Sequence, residues 1–330
     1  MTLRLKGGTF RRFCVEKVLR LWYDIKKGAY RMNILITGGT VFVSRYLAEY
    51  YVAQGHAVHV LNRNTRKQSA GVRLIQADRH ALGDVLRGYH FDVVIDTAYT
   101  AEDVNLLLDA LDDCGEYVLI SSSAVYPEYA PQPFREDSPL GKNIHWGDYG
   151  LNKIAAEEAL LRRKPDAFVL RPPYLYGPMN NVYREAFVFD CALADRPFFL
   201  PGEGEMPLQF FHIRDLCRMI DVLLRIKPMR RILNVGNPEL ISVREWVQMC
   251  YRAAGKNATF IPVDKGVDTR GYFCFRDYTY QLDVSAQTAL LPELTPIQQG
   301  LREAFAWYIH HQDEVNKRPY LENIRAYWEK

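Results

Sequence analysis

Metal-site and disulfide patterns are missing from this sequence. Its six cysteines (Cys14, Cys114, Cys191, Cys217, Cys250 and Cys274) are scattered over 330 residues, with no Cys-x-x-Cys and no histidine beside them at metal-ligand spacing. That excludes a zinc ribbon, a redox dithiol and a disulfide-stapled scaffold, and it predicts reduced cysteines in a core. No apolar run approaches the roughly 20 residues that a bilayer span requires, and no small-residue cleavage site follows the basic N-terminus. The expectation is a cytoplasmic protein. Internal repeats and low-complexity tracts are lacking too, which excludes a solenoid. An extended basic surface is also missing from most of the chain. Residues 1–31 carry a net charge of +7, which leaves −4 on the rest of a chain whose total is +3. A mildly acidic body disfavours a large nucleic-acid footprint.

What is present is a globular composition, 48% hydrophobic and 25% charged, enough for one large core and a smaller lobe. Residues 9–27 set Phe10, Phe13, Cys14, Val18, Leu21, Trp22 and Ile25 at helical spacing among basic residues. Such a segment can lie on an anionic membrane. The favoured alternative is a true start at Met32, because Met32-Asn33-Ile34-Leu35-Ile36-Thr37 already opens a strand and codons for Lys27-Gly28-Ala29 can resemble a ribosome site.

From Asn33 the chain alternates. A strand to Thr37 is followed by a Gly38-Gly39 turn and a helix from Val41 to Ala53. Strands then follow at 57–61, 73–76, 92–96, 117–120 and 167–170, with a helix at 101–111. Apolar strands alternating with helices predict an α/β fold, a doubly wound parallel sheet of the Rossmann type. After Arg171-Pro172-Pro173 the pattern loosens into a Pro- and Gly-punctuated region. A strand at 232–235 and helices at 243–253 and 296–310 return later. The expected organisation is an N-terminal extension over 1–31, a dinucleotide-binding domain over 32–172 and a smaller, interwoven substrate lobe over 173–330.

Gly147 to Glu158 reads as the start of a helix, so Tyr149 and Lys153, four apart, share a face. Using a phenol of pKa about 10 as a base near neutrality takes roughly three units of stabilisation from nearby positive charge. The serine run Ser121-Ser122-Ser123 lies upstream. Taken with the turn Thr37-Gly38-Gly39-Thr40-Val41-Phe42-Val43-Ser44 and with Arg171-Pro172-Pro173-Tyr174-Leu175-Tyr176-Gly177-Pro178, these residues resemble the extended short-chain dehydrogenase/reductase family, in its NAD-dependent epimerase/dehydratase branch. The resemblance implies Ser122 (runner-up Ser123), Tyr149 and Lys153 as catalytic residues, with Lys153 lowering the pKa of Tyr149. It implies NAD or NADP as cofactor, met by Gly38, Gly39, Thr40, Phe42, Val43, Asn62, Arg63, Asp78, Ala98, Tyr149, Lys153 and Pro172. Asp78 reads equally as a helix cap. A sugar substrate, nucleotide-linked, and a homodimer follow from the same resemblance.

Departures from the family pattern are informative. Val41 and Ser44 replace two of three spaced glycines, and Val41 brings a branched side chain to where backbone should approach phosphate. Asn62 followed by Arg63 replaces the acid that holds the ribose hydroxyls, which leaves NADP open. Tyr174 replaces an Asn, and Leu208 replaces an Arg that clamps a diphosphate. Arg184, Arg196 and Arg214 are the remaining candidates for that charge, and Tyr174, Tyr176, Phe210 and Phe211 for stacking. These changes look more like the subgroup related to chloroplast stem-loop RNA-binding proteins, so RNA is an alternative partner. Epimerisation ranks ahead of simple reduction and of 4,6-elimination, with weak activity at most on common UDP-hexoses. Deleting residues 1–31 is expected to leave the melting temperature and cofactor binding unchanged; a drop of several degrees would mean that the segment packs on the body.

Overall fold

The computed structural model describes residues 31–264 and 266–328. The amphipathic segment 9–27, Cys14 and the start at Met32 as against Met1 lie outside what it describes.

Strands buried on both faces need near-continuous apolar runs, and such runs lie in β1 (Asn33–Thr37), β2 (Ala57–Asn62), β4 (Phe91–Asp96), β5 (Cys114–Ile120) and β6 (Phe168–Arg171), whereas the edge strand β3 (Arg73–Gln76) buries only Ile75. With Ile232–Asn234 they make a seven-stranded sheet, ordered Ile232–Asn234, β6, β5, β4, β1, β2, β3. Every pairing is parallel. The order reverses between β3 and β4, so β1 lies beside β4, with Ile34 opposite Val93 and Ile36 opposite Ile95. In a doubly wound sheet the crevice at this reversal, past the carboxyl ends of the strands, is where ligands bind. β5 starts at Cys114 rather than at Tyr117. Its first residues alternate between buried and exposed, so an apolar-run criterion misses them.

Alternation along β1 divides the core. Ile34 and Ile36 face α1 (Phe42–Ala53) through Leu47, Ala48 and Tyr51, and the helix Ile213–Ile226 completes that layer. Leu35 faces the opposite side, where α2 (Ala101–Ala110) and α3 (Asp148–Arg163) contribute Val104, Leu107, Ala156 and Leu160. Thr100 and Asp103 form a capping box that fixes the start of α2. The second half of the chain builds an aromatic core of its own, in which Phe210 stacks on Trp246 at 5.6 Å. Through Ile213–Ile226 and Ile232–Asn234 it also returns to the large sheet. The described cysteines, Cys114, Cys191, Cys217, Cys250 and Cys274, are all buried thiols.

Charge is buried where α3 meets the sheet. Arg171 and Glu157 are each only 2% exposed. Arg171 Nη2 donates to Glu157 Oε2 at 2.6 Å and its Nε donates to Glu157 Oε1 at 3.1 Å. Nη1 donates to the Tyr126 hydroxyl at 2.8 Å and to the Glu136 carbonyl at 3.1 Å. Tyr126 in turn donates to Asn234 Oδ1 at 2.7 Å, and Ser121 donates to Glu157. Removing one member of a buried pair leaves the other uncompensated, so Arg171→Met is expected to cost about 3–5 kcal/mol of stability in urea unfolding. A loss below about 1 kcal/mol, the range of an exposed pair, would mean that the network carries no such constraint.

Candidate functional site

The turn after β1 admits only glycine at two positions, because side chains of α1 and β2 come close to its backbone. Gly38 and Gly39 hold φ of 88° and 87°. A Cβ on Gly38 would lie 2.8 Å from Ser44 Oγ, and one on Gly39 would lie 2.4 Å from Val60 Cγ1. Thr40 and Val41 bend into α1, which has no side-chain cap and no acid in its first turn. Its leading amides and the positive end of its dipole are therefore left for an external anion. Ser44, in place of a third glycine, is buried and donates to the Val41 carbonyl at 3.1 Å. Val41 is partly buried against the apolar core and is not in the wall of the cavity that Phe42 and Val43 line. The residues present fit the pyrophosphate of a dinucleotide.

That cavity, about 510 Å³, runs from Phe42 and Val43 past Ser122, Tyr149, Lys153 and Pro172 to Tyr174 and Arg184. Strand ends build its floor. Thr97 follows β4, Ser121 to Ser123 follow β5, and Pro172 follows β6, with the Pro172 carbonyl accepting from the Ser123 amide at 2.9 Å. Ser122 Oγ accepts from the Ala124 amide at 3.2 Å. Its hydroxyl also opposes, by hydrogen bonding, the upward shift that burial imposes on the Tyr149 phenol, whereas Ser123 acts in the same way on Tyr280. Of the two serines, Ser122 is the one that faces the phenol. The Tyr149 ring lies 5.5 Å from the Tyr99 ring.

Lys153 departs from expectation. Its spacing puts the ammonium beside the phenol, but Nζ donates instead to the carbonyls of Ala98 at 2.7 Å and Ile120 at 2.9 Å. The reason is burial. At 5% exposure the cation needs acceptors, and the carbonyls beyond β4 and at the end of β5 supply them. Burial lowers its pKa to about 8, opposed by the charges of Asp96, Glu157 and Asp103. The charge of Arg184 acts against the rise that burial imposes on the Tyr149 pKa.

At the other end of the turn, Asn62 Nδ2 donates to the Gly38 carbonyl at 2.6 Å. Arg63 is exposed just beyond. Asp78 accepts from the His80 amide at 2.9 Å, which is the cap reading of that residue.

A second cavity, about 260 Å³, adjoins the first and shares Trp146, Tyr174, Val182, Arg184 and Arg276 with it. Arg184, Arg270, Arg276 and Arg318 line it, and neither cavity has a carboxylate in its wall. Arg184 lies over the Tyr174 ring at 4.9 Å and Arg276 over Trp146 at 5.8 Å. Burial, together with neighbouring Arg270, pushes the pKa of Arg276 down. Of the arginines named from the sequence only Arg184 is here; Arg214 is paired with Glu303 at 2.6 Å, and Arg196 is in neither wall. Leu208 is a core residue paired with Ile241, so its apolar side chain says nothing about this pocket. Tyr176, Phe210 and Phe211 are likewise core, and only Tyr174 of the four expected stacking residues lines the cavities. Arg270, Arg276 and Arg318 went unrecognised because nothing local marks them; separate segments bring them together. Among the described residues no cluster of His, Cys, Asp and Glu is placed to hold a metal ion, and no helix is long and apolar enough to cross a membrane.

A parallel sheet wound in this order, with a glycine turn at its switch point and a tyrosine, a serine and a lysine at its strand ends, defines a dinucleotide-binding protein of the dehydrogenase type. The chain belongs to the NAD dependent epimerase/dehydratase family, whose model matches residues 34–236, and its cofactor is NAD or NADP. It is 28% identical over 301 residues to the chloroplast stem-loop binding protein of 41 kDa b of Arabidopsis thaliana, covering 83% of this chain and 78% of that one. It is 23% identical over 254 residues to the probable GDP-L-fucose synthase 1 of rice, covering 70% of this chain and 75% of that one. Among solved structures, the UDP-glucose 4-epimerase of Thermotoga maritima with UDP-glucose superposes with a TM-score of 0.69 at 16% identity, over 85% of this chain and all of that one. The dTDP-glucose 4,6-dehydratase of Bacillus anthracis with NAD gives 0.68 at 18% identity, over 86% and 98%.

The depressed pKa of Lys153 predicts a pH effect on stability. Between about 8 and its ordinary 10.5 the unfolded chain holds this proton and the folded chain does not, so folding stability should rise with pH across that window. Melting curves of the parent and Lys153→Met from pH 7 to 10.5 should diverge accordingly, the parent gaining on the variant above pH 8; parallel curves would refute the assignment.

Proposed function

We propose that the protein is a nucleotide-sugar epimerase or oxidoreductase in which Tyr149 moves the proton of a sugar hydroxyl, Ser122 bonds the same oxygen and the arginine pocket holds the phosphates. One observation carries this reading. The serine, tyrosine and lysine stand in the wall of a cavity that meets the glycine turn at one end and an acid-free pocket of four arginines at the other. The nicotinamide, when bound, accepts and returns the hydride, and its return to the opposite face of the carbon gives the epimer. Tyr149 acts as base in the first half and as acid in the second. Burial holds its pKa above the ordinary phenol value, and Ser122 and Arg184 act against that rise. Movement of Lys153 from its two carbonyls toward the phenol would add a second cation. Arginines favour phosphate through paired, charge-assisted donors, so Arg184, Arg270, Arg276 and Arg318 take the place of the clamp that Leu208 does not provide. Epimerisation is preferred to elimination because Ser122 is followed by Ser123 and Ala124 rather than by an Asp-Glu pair.

A rival reading, RNA binding on the same scaffold, is favoured by the relationship to the chloroplast stem-loop binding protein. The concavity of the arginine pocket and the acidic body speak against it. A panel of nucleotide sugars, followed by product chromatography, tests the proposal. Tyr149→Phe should lower kcat about a hundred- to ten-thousandfold without changing the melting temperature. Arg276→Ala should raise KM about ten- to a hundredfold while kcat moves less. Turnover by Tyr149→Phe at the parent rate would remove the assignment, and tight, salt-sensitive RNA binding without any turnover would favour the rival.

A further inference from the structure

A dinucleotide site selective for NAD presents an acid at the end of the second strand, where it accepts from both ribose hydroxyls; a site for NADP presents an arginine to the 2′-phosphate. The residue at that place here is Asn62, and its side chain is already engaged within the protein. An amide offers two donor hydrogens and two acceptor lone pairs. Asn62 Nδ2 donates to the Gly38 carbonyl at 2.6 Å and to Gln68 Oε1 at 3.1 Å. Its Oδ1 accepts from the Asn64 amide at 2.8 Å and from Gln68 Nε2 at 3.2 Å. Asn64 makes the turn with φ of 56°. Gln68 Nε2 further reaches Asn64 Oδ1 at 3.2 Å and the Arg66 carbonyl at 3.0 Å. The amides of Asn62, Asn64 and Gln68 are thus turned in on one another, with the two Gln68 Nε2 hydrogens shared among three acceptors, and residue 62 offers no carboxylate to the ribose hydroxyls. An aspartate there would set a carboxylate against the Gly38 carbonyl.

The charges of the loop do the reverse. Arg63, Arg66 and Lys67 are all exposed, and no ion pair among the described residues joins any of them to a carboxylate. Glu49, which reaches the loop through Ser69 at 2.8 Å, is paired with Arg45 at 3.0 Å. Three cations without an ion-pair partner therefore follow a residue that is tied to the glycine turn and carries no carboxylate for the ribose hydroxyls. We propose that this chain selects NADP over NAD, with Arg63 meeting the 2′-phosphate and Arg66 and Lys67 adding to the local positive potential. The inference rests on the dinucleotide site alone and is independent of the sugar chemistry proposed above.

The test is binding without any sugar. Calorimetric titration of the full chain with NADP+ and NAD+ should show NADP+ tighter by about ten- to a hundredfold, the range of one charge-assisted contact, and 2′,5′-ADP should displace it better than 5′-ADP. Arg63→Ala should remove most of that preference while leaving NAD+ affinity and the melting temperature unchanged, as expected for an exposed side chain. The proposal is overturned if NAD+ binds as tightly as NADP+, if neither binds at millimolar concentration, or if the preference survives in the Arg63→Ala/Arg66→Ala/Lys67→Ala variant. A failed sugar screen with NADP+ bound tightly would count against the catalytic reading and leave this one standing.

Discussion

Lys153 and Glu157 lie one turn apart on the buried face of α3, and neither can remain charged there without partners, because desolvating an ion costs several kcal/mol. The sheet supplies those partners. The carbonyls of Ala98 and Ile120 take the ammonium, and Arg171 at the end of β6 takes the carboxylate. This requirement pins α3 to the carboxyl ends of three neighbouring strands, the region where a doubly wound sheet presents its ligand site. The position of Tyr149 on the first turn of the same helix follows from that anchoring. So does the place of Ser122, since the residue before it, Ser121, donates to Glu157.

A second buried charge acts in the same sense. Asp96, fully buried at the end of β4, accepts from Thr37 Oγ1 at 2.6 Å, from the Tyr117 hydroxyl at 2.6 Å and from the Ala98 amide at 3.0 Å, and it is paired with Arg79. It thereby joins β1, β4 and β5 at the switch point and holds, through its amide, the residue whose carbonyl takes Lys153. Stability and site geometry are one property here, since the groups that neutralise buried charge are also those that order the floor of the cavity.

The two ends of the cleft use opposite electrostatic devices. Beside the glycine turn, backbone amides and a helix start with no acid near it offer a diffuse positive field that needs no side chain. Beyond Tyr174, discrete guanidinium groups do the work, braced by aromatic faces that let an arginine be partly dehydrated without losing favourable contact.

Much of the fold was legible in the chain, because it rests on local regularities: apolar strand runs, helical periodicity, two glycines forced to positive φ, and the four-residue spacing of Tyr149 and Lys153. The serine run, the altered glycine turn and Asn62-Arg63 could be named from their places relative to those elements. Partnership could not be read, since it is set by residues far apart in sequence. The binding of Lys153 to two strand carbonyls, the retreat of Leu208, Tyr176, Phe210 and Phe211 into a core, and the engagement of Asn62 by Gly38 and Gln68 are all outcomes of packing. Residue type and order determined the sheet, the cofactor class and the candidate catalytic groups. Only tertiary structure decided which arginines meet in one pocket, because Arg184, the pair Arg270 and Arg276, and Arg318 come from three distant stretches of the chain that share no local pattern.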